Sequence, residues 1–266
     1  MVEISIYPRT KSFEHLLKLY PPVLANKYLP EWYKEQKIYY RYLEVQKGNT
    51  IDLPNERIRQ IRQCPAIQDY ITDGIILRSW SDLYVTKTIK NEYVWEMDIG
   101  NNGLMELPSP EWKWIDSHSY EQTTPLELNG IENYGVLKLI SPYHFATPKG
   151  YGIEFTDPFY HHRRTIKLLP GKVETDKWHE VNFPFEFYFD LSNFTQKTIH
   201  IKAGDPLMML KPYKLNTDKV ELSINNYDKD FMEKQLKNDI LGFSVGGAWH
   251  RYKSKIEEEE WRLHTL

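Results

Sequence analysis

The stretch GKVETDKWHEVNFPFEFYF, residues 171–189, decides the fold. Every second residue from position 181 onward is valine or phenylalanine, and alternate residues of a strand point to the same face of a sheet. These residues are Val181, Phe183, Phe185, Phe187 and Phe189. Large apolar side chains on one face have to be covered by a second layer. The sequence therefore predicts a long strand at the centre of a β-sheet core.

The residues before this strand predict two turns. Gly171 follows Pro170, and a glycine there is expected to take a positive φ in a tight connection. Thr175 and Asp176 are expected to form the next turn. This segment leads directly into the central strand, and we expect residues 171–185 to be the structural centre of the protein.

Short apolar-alternating segments flank the central strand on both sides. They cover residues 136–140, 151–155, 165–169, 199–201 and 207–210. Six strands in roughly eighty residues leave no room for the helices that parallel connections need. The predicted fold class is mainly β, an antiparallel β-barrel or sandwich with a few short N- and C-terminal helices.

We expect one domain over residues 1–266, with a boundary near Gly130 as the alternative. Its parts are an N-terminal segment with short helices over 1–72, an antiparallel meander over 73–132, a barrel core over 133–214 and a helical tail over 215–266.

Three helix signals lie outside the predicted barrel. Ser12 is expected to cap a short helix that stops at Pro21-Pro22, and Pro30 is expected to open a second helix. Apolar residues at helical spacing predict an amphipathic helix in the tail. These residues are Met232, Leu236 and Ile240.

Composition narrows the function classes. The chain has 34 basic and 37 acidic residues, so its net charge of −3 gives no strong signal for nucleic-acid binding. Its 19 Tyr, 11 Phe and 8 Trp favour strands and flat contact surfaces. Cys64 is the single cysteine, which excludes an internal disulfide and points to a reducing compartment or to indifference to redox state. We expect no signal peptide, no transmembrane segment and no membrane partner.

A few histidines and acids could hold a metal or act as bases. The candidates for a metal are Asp157, His161 and His179, and the candidates for catalysis are Glu174 and Asp176. All fall at strand ends, where connections are polar for backbone reasons alone. We therefore interpret them as a polar rim at a barrel mouth in preference to a metal site, and we predict no cofactor.

The run His161-His162-Arg163-Arg164 is the compact cationic cluster of the chain. Arginine forks bind phosphate or carboxylate, so these four residues are the candidate ligand-binding residues. Such a cluster is more often an exposed hairpin end. No glycine-rich phosphate loop and no serine or cysteine nucleophile motif is present in the sequence.

Several motifs in order along the chain resemble a family of uncharacterised proteins encoded by tailed bacteriophages and some bacteria. They are Tyr28-Leu29-Pro30-Glu31-Trp32-Tyr33-Lys34, Gln63-Cys64-Pro65-Ala66, Thr147-Pro148-Lys149-Gly150-Tyr151, Gly171-Lys172-Val173-Glu174-Thr175-Asp176 and Ala203-Gly204-Asp205-Pro206-Leu207. The resemblance covers most of residues 28–212. It implies a phage or phage-derived origin, a place in the host cytoplasm or the virion, and no particular activity.

Residues 148–210 are also similar in layout to the barrel of trimeric deoxyuridine triphosphatases and deoxycytidine deaminases. That resemblance implies that Glu174 orients an attacking water and that Mg²⁺ assists. The sequence departs from those enzymes where their phosphate-binding Arg-Ser-Gly stretch would fall, at Thr156-Asp157-Pro158-Phe159. Their Ala-Gly-x-Asp magnesium motif is also missing, so the resemblance speaks for the fold more than for the chemistry.

We therefore expect a non-enzymatic structural or binding module, either a virion component or a protein that interacts with the host. Its expected partners are further copies of itself or other phage proteins. The first alternative is a nucleotide-acting hydrolase or deaminase that uses Glu174 or Asp176 as base. The second is an iron-dependent oxygenase that uses His161, His179 and Asp157 or Glu174.

Overall fold

The computed structural model describes residues 2–35, 39–46, 49–59, 64–87, 93–98, 113–117, 134–161, 166–188, 198–215, 222–223, 228–230 and 233. By its contacts the chain divides into two compact units. The first unit comprises Met1–Tyr28 and Asp73–Thr217, and the second comprises Leu29–Thr72 and Asp218–Leu266. The single domain predicted over 1–266 stays a prediction.

The described residues are mostly in strands. In chain order the strands are β1 (Ser5–Pro8), β2 (Val23–Leu24), β3 (Tyr39–Gln46), β4 (Asn49–Arg59), β5 (Ile75–Arg78), β6 (Asp82–Lys87), β7 (Tyr93–Asp98), β8 (Ile115–Ser117), β9 (Tyr134–Ala146), β10 (Tyr151–Thr156), β11 (Ile166–Leu168), β12 (Gly171–Val173), β13 (Glu180–Tyr188), β14 (Thr198–Ile201) and β15 (Pro206–Lys214). The helices are α1 (Glu14–Leu19), α2 (Glu31–Glu35) and α3 (Pro65–Thr72), with 3-10 turns at Lys11–Phe13, Ala25–Lys27 and Phe159–His161.

Within the residues that the structure describes, the first unit contains three antiparallel sheets. Sheet 1 has the order β1-β9-β13-β11, with β8 also paired to β9; sheet 2 has the order β12-β10-β15-β5-β2; sheet 3 has the order β14-β6-β7. The predicted mainly β, antiparallel fold is confirmed. Within the described residues each strand order is an open path, so of the two predicted architectures the sandwich fits better than the barrel.

Strand β13 lies at the centre of the core, as its alternating pattern predicts. Val181, Phe183, Phe185 and Phe187 are all buried, while Phe189 lies outside the described residues. The Phe183 ring meets the rings of Phe145 at 5.9 Å and Phe155 at 5.4 Å, both edge to face. Phe155 belongs to β10 of sheet 2, so this contact joins the facing sides of sheets 1 and 2.

The predicted positive φ at Gly171 is wrong. Among the described glycines, positive φ occurs at Gly74, Gly150 and Gly204, whereas Gly171 begins strand β12. The need for glycine at position 171 is steric, because a Cβ there would lie 2.9 Å from Cε2 of Phe155 and still closer to Cζ. The missing side chain therefore lets the Phe155 ring pack against the backbone of the neighbouring strand.

The N-terminal helix forms where it is predicted, but Ser12 does not cap it. A 3-10 turn precedes α1, and the N-cap residue of α1 is Phe13, without a side-chain hydrogen bond. The Ser12 hydroxyl instead lies 2.8 Å from the Thr10 hydroxyl. The helix ends at Leu19, before Pro21-Pro22 as expected.

The strands within residues 73–132 pair differently from a simple meander. Strands β6 and β7 form a hairpin, but β5 pairs with β15 and β2 instead of with β6. The link between β5 and β6 is anchored elsewhere: the Ser79 amide donates to Asp205 O and the Gly204 amide donates to Ser79 O, both at 2.7 Å. Trp80 then enters the core. This anchoring directs β6 out of sheet 2 and into sheet 3.

The second unit has its own elements. Helix α2 follows Pro30 as predicted, with the Tyr33 and Lys34 amides donating to Pro30 O. Strands β3 and β4 form a long hairpin that we did not predict from the sequence. The helix expected around Met232, Leu236 and Ile240 lies outside the described residues. Among the described helices, none combines the length and apolar character needed to span a membrane.

Candidate functional site

The turn between β12 and β13 brings three of the sequence-predicted residues close together. Glu174, Asp176 and His179 all lie in it. The amides of Lys177 and Trp178 both donate to Glu174 O, at 3.1 Å and 3.0 Å, which closes the turn. We call residues 174–179 the acidic turn.

Asp176 holds a neighbouring loop. The Gly150 amide donates to Asp176 Oδ2 at 3.0 Å. The Thr147 hydroxyl donates to Tyr151 O at 2.7 Å, and it accepts from the hydroxyl of buried Thr175 at 2.8 Å. These bonds tie residues 147–151, which connect sheet 1 to sheet 2, to the acidic turn. The other oxygen, Asp176 Oδ1, is buried and has no hydrogen-bond partner within the part of the chain that the structure describes.

Glu174 is exposed and forms an ion pair with Lys177 at 2.9 Å. The hydrogen bond from Lys177 to Glu174, and then the charges of Glu174 and Asp176, raise the pKa of Lys177. Burial raises the pKa of Tyr213, and the charges of Glu174, Asp176 and Glu154 raise it further. The charges of Glu174 and Asp176 therefore give the acidic turn a negative potential, and Lys177 pairs with one of them.

His179 binds two main-chain carbonyls. Its Nδ1 lies 3.1 Å from Phe145 O and 3.1 Å from Thr175 O. Both partners are acceptors, so Nδ1 carries a proton and acts as the donor. Through its Nδ1, His179 therefore joins β9 to the acidic turn.

The remaining predicted residues lie at the other end of β10. Asp157 follows β10 and its Oδ1 accepts from the Leu168 amide at 3.1 Å, while the His161 ring stacks on Tyr28 at 5.6 Å. The acidic turn lies beside the Tyr151 end of β10, because Val173 pairs with Ile153. A strand of this length spans about 17–20 Å. The structure therefore does not bring Asp157 and His161 together with His179.

The described residues contain no group of three or more His, Cys, Asp or Glu side chains placed to hold a metal ion. The iron site of the second alternative, built from His161, His179 and Asp157 or Glu174, is therefore not assembled there. The physical reason is that the length of β10 separates its members. His162, Arg163 and Arg164 lie outside the described residues, so their predicted ligand-binding role stays a prediction.

Two polar clusters on the sheets were not predicted from the sequence. On sheet 1, Arg9 lies 3.7 Å from Glu180 and 3.4 Å from Asn182. Burial lowers the pKa of Arg9, and Glu180 opposes this effect. His144 pairs with Glu180 across the strands, and burial, Arg9 and His179 lower its pKa against the opposing charge of Glu180.

The second missed cluster lies on sheet 3. His200 Nε2 is 2.7 Å from Asp82 Oδ1, and the His200 ring stacks on Tyr84 at 4.3 Å with the planes 10° apart. The two partners are 118 residues apart in sequence. No local motif signals such a pair, because antiparallel pairing of β14 with β6 creates it.

No protein-family model matches this chain, and a search of curated proteins finds no match. Among solved structures, the chain is similar to the dUTPase from phage phi11 of S. aureus. The sequence identity is 14%, the match covers 36% of this chain and 74% of that chain, and the TM-score is 0.24.

Proposed function

We propose that this protein is a non-enzymatic structural or binding module of a tailed bacteriophage, acting in the virion or on a component of the host. The proposal rests on the structural role of the candidate residues. Asp157, Asp176 and His179 each bind main-chain groups that fix the ends of strands. Groups used in this way are part of the framework that holds the sandwich together.

Exposed aromatic side chains support a binding role. Tyr7, Phe159 and Trp178 are 57%, 65% and 62% exposed. Tyrosine and tryptophan are common anchors of protein interfaces, since they offer large rigid contact areas. The partner is another phage protein, a host protein or a further copy of this chain. Light scattering of the purified protein at micromolar concentration tests the last of these, and a strict monomer contradicts it.

A nucleotide-acting hydrolase or deaminase is the second candidate, favoured by one observation. Asp176 Oδ1 is a buried carboxylate oxygen without a partner among the described residues. Such an oxygen is able to accept a proton or orient a water. Glu174 lies in the same turn and is exposed to solvent.

The two candidates give opposite results in a turnover assay. The purified protein is incubated with each deoxynucleoside triphosphate and Mg²⁺, and release of phosphate, pyrophosphate or ammonia is measured. We expect no turnover. Turnover that is lost in both Glu174→Gln and Asp176→Asn, in variants that keep the wild-type circular dichroism spectrum, would contradict the proposed module and establish the enzyme.

A second measurement tests whether the protein is a structural component of the virion. Mass spectrometry of purified phage particles from cells that carry the gene tests the virion role. Recovery of the protein in stoichiometric amounts supports a structural component. Its absence from particles removes that role and leaves host interaction.

A further inference from the structure

Tyr28, Arg78 and His161 form a compact cluster at the surface of the first unit. The Arg78 guanidinium carbon lies 6.0 Å from the centre of the Tyr28 ring, and the His161 ring stacks on Tyr28 at 5.6 Å. All three side chains are partly exposed. Phe159, which is 65% exposed, lies on the same 3-10 turn as His161. We call Tyr28, Arg78, Phe159 and His161 the Arg78 surface.

A hydrogen bond to the main chain fixes the position of the Arg78 side chain. Its Nε donates to Pro21 O at 3.0 Å. This bond uses one of the five donors of the guanidinium and leaves the terminal nitrogens for other partners. The Tyr28 ring beside it is fixed in turn, since the Tyr28 hydroxyl donates to Gly204 O at 3.2 Å.

Arg78 differs from the paired cations of this unit. Within the described residues it has a carbonyl and an aromatic ring as partners, and no carboxylate within 4 Å. Asp205, in the adjacent turn, uses its Oδ2 to accept from the Lys202 amide. By contrast, four other cations each lie within 4 Å of a carboxylate, and these are Arg9, Lys138, Lys177 and Lys211.

A fixed guanidinium with available terminal nitrogens fits a carboxylate, because two parallel N–H groups match its two oxygens. Arginine and tyrosine are also among the residues that contribute most at protein interfaces, and Phe159 adds an exposed apolar side chain on the turn that carries His161. We propose that the Arg78 surface docks an acidic peptide segment of a partner protein. One glutamate or aspartate binds Arg78, and a neighbouring apolar side chain packs on Phe159. This inference rests on the proposed binding function and gives it a site and a partner chemistry.

The Arg78 Nε–H resonance reports directly on this site in proton–nitrogen spectra, because its bond to Pro21 O protects it from exchange. It is assigned by its loss in Arg78→Lys. The probe is a blocked Glu-Phe dipeptide, N-acetylated and C-terminally amidated, with the equivalent Gln-Phe dipeptide as control. We expect Glu-Phe to shift this resonance at millimolar concentration and to bind about two- to fivefold more tightly than Gln-Phe, as an exposed charge pair allows.

Variants separate the site from general charge effects. Arg78→Gln and Lys177→Gln each remove one positive charge, but Lys177 lies on the acidic turn. The Arg78 variants lack the Nε–H resonance, so binding to all variants is followed by the backbone amide resonances of Tyr28 and Phe159. Arg78→Gln is expected to abolish the preference for Glu-Phe, Arg78→Lys to reduce it, and Lys177→Gln to leave it unchanged. Equal losses in the two glutamine variants overturn the inference, because they show that only net charge matters.

Two further outcomes also overturn it. The first is no shift of the Arg78 resonance at 10 mM Glu-Phe. A dissociation constant of about 10 mM is the weakest that we expect for this contact. The second is a larger shift by inorganic phosphate than by Glu-Phe, which assigns the surface to phosphate ligands. Neither outcome affects the proposed module, which the turnover and particle measurements decide separately.

Discussion

Replacement of Phe183 by alanine tests the core of the sandwich. Phe183 lies in β13, is fully buried and meets Phe145 and Phe155 edge to face. Truncating a buried phenylalanine costs about 3–5 kcal/mol, through lost transfer free energy and the cavity that remains. Each ring pair accounts for about 0.5–1.5 kcal/mol of interaction beyond simple burial, so we expect the upper part of that range. Domains are stable by about 5–15 kcal/mol, so the variant should be marginally folded or insoluble.

The assay is unfolding by guanidinium chloride, followed by circular dichroism. Phe183→Leu keeps most of the volume but loses both ring pairs, so it should lose about 1–3 kcal/mol, less than Phe183→Ala. Phe159→Ala, at a site that is 65% exposed, should change stability by no more than about 0.5 kcal/mol. If Phe183→Ala unfolds at the same denaturant concentration as Phe159→Ala, the position of β13 between sheets 1 and 2 is wrong.

Three other predictions follow from the described contacts. Gly171→Ala should cost about 1–3 kcal/mol, because the new Cβ overlaps the Phe155 ring, and denaturant unfolding measures this loss. Thr175→Val should cost about 1 kcal/mol, because it removes the buried hydroxyl that bonds Thr147; an unchanged unfolding midpoint would refute this. Because burial lowers the pKa of His144, the unfolded state takes up the proton first, and the free energy of unfolding should fall as the pH drops below about 6.5. His144→Gln should flatten this dependence between pH 7.5 and 5.5, and an equally steep dependence in the variant would exclude His144 as its source.

Local patterns predicted the parts of the fold that depend on neighbouring residues. The period of two in β13 identifies a strand with one buried face, and the structure buries that face. Pro30 and Pro21 mark a helix start and a helix end because proline restricts its own backbone. The long hairpin of β3 and β4 was missed, since its partly polar sequence was interpreted as part of a helical segment.

Local sequence patterns do not predict which strands pair with one another. Strand β5 pairs with β15, more than a hundred residues later, and β1 pairs with the end of β9. Such pairings depend on which faces and edges meet in the packed core, and one sequence does not specify them through spacing. The predicted meander failed to anticipate the exchange between sheets for this reason.

In the candidate site, too, contacts between residues near in sequence were predictable and contacts between distant strands were not. Glu174, Asp176 and His179 come together because one turn contains them all. Asp157 is also close in sequence, but β10 carries it to the opposite end of the sheet. The cluster of Arg9 with Glu180 was not predictable, because Arg9, which follows β1, meets the start of β13 only in the assembled sheet.

The stability of Asp176→Ala tests the central claim most directly, namely that the acidic turn is part of the framework. Asp176 accepts from the Gly150 amide and thereby holds residues 147–151. Removing a charged acceptor and leaving a part-buried amide without its partner should cost about 1–3 kcal/mol of unfolding free energy. Glu174→Ala, which removes an exposed ion pair, should stay within about 1 kcal/mol of the wild type. A carboxylate kept for chemistry is commonly held at the expense of stability, so an Asp176→Ala variant as stable as the wild type, or more stable, would contradict the account.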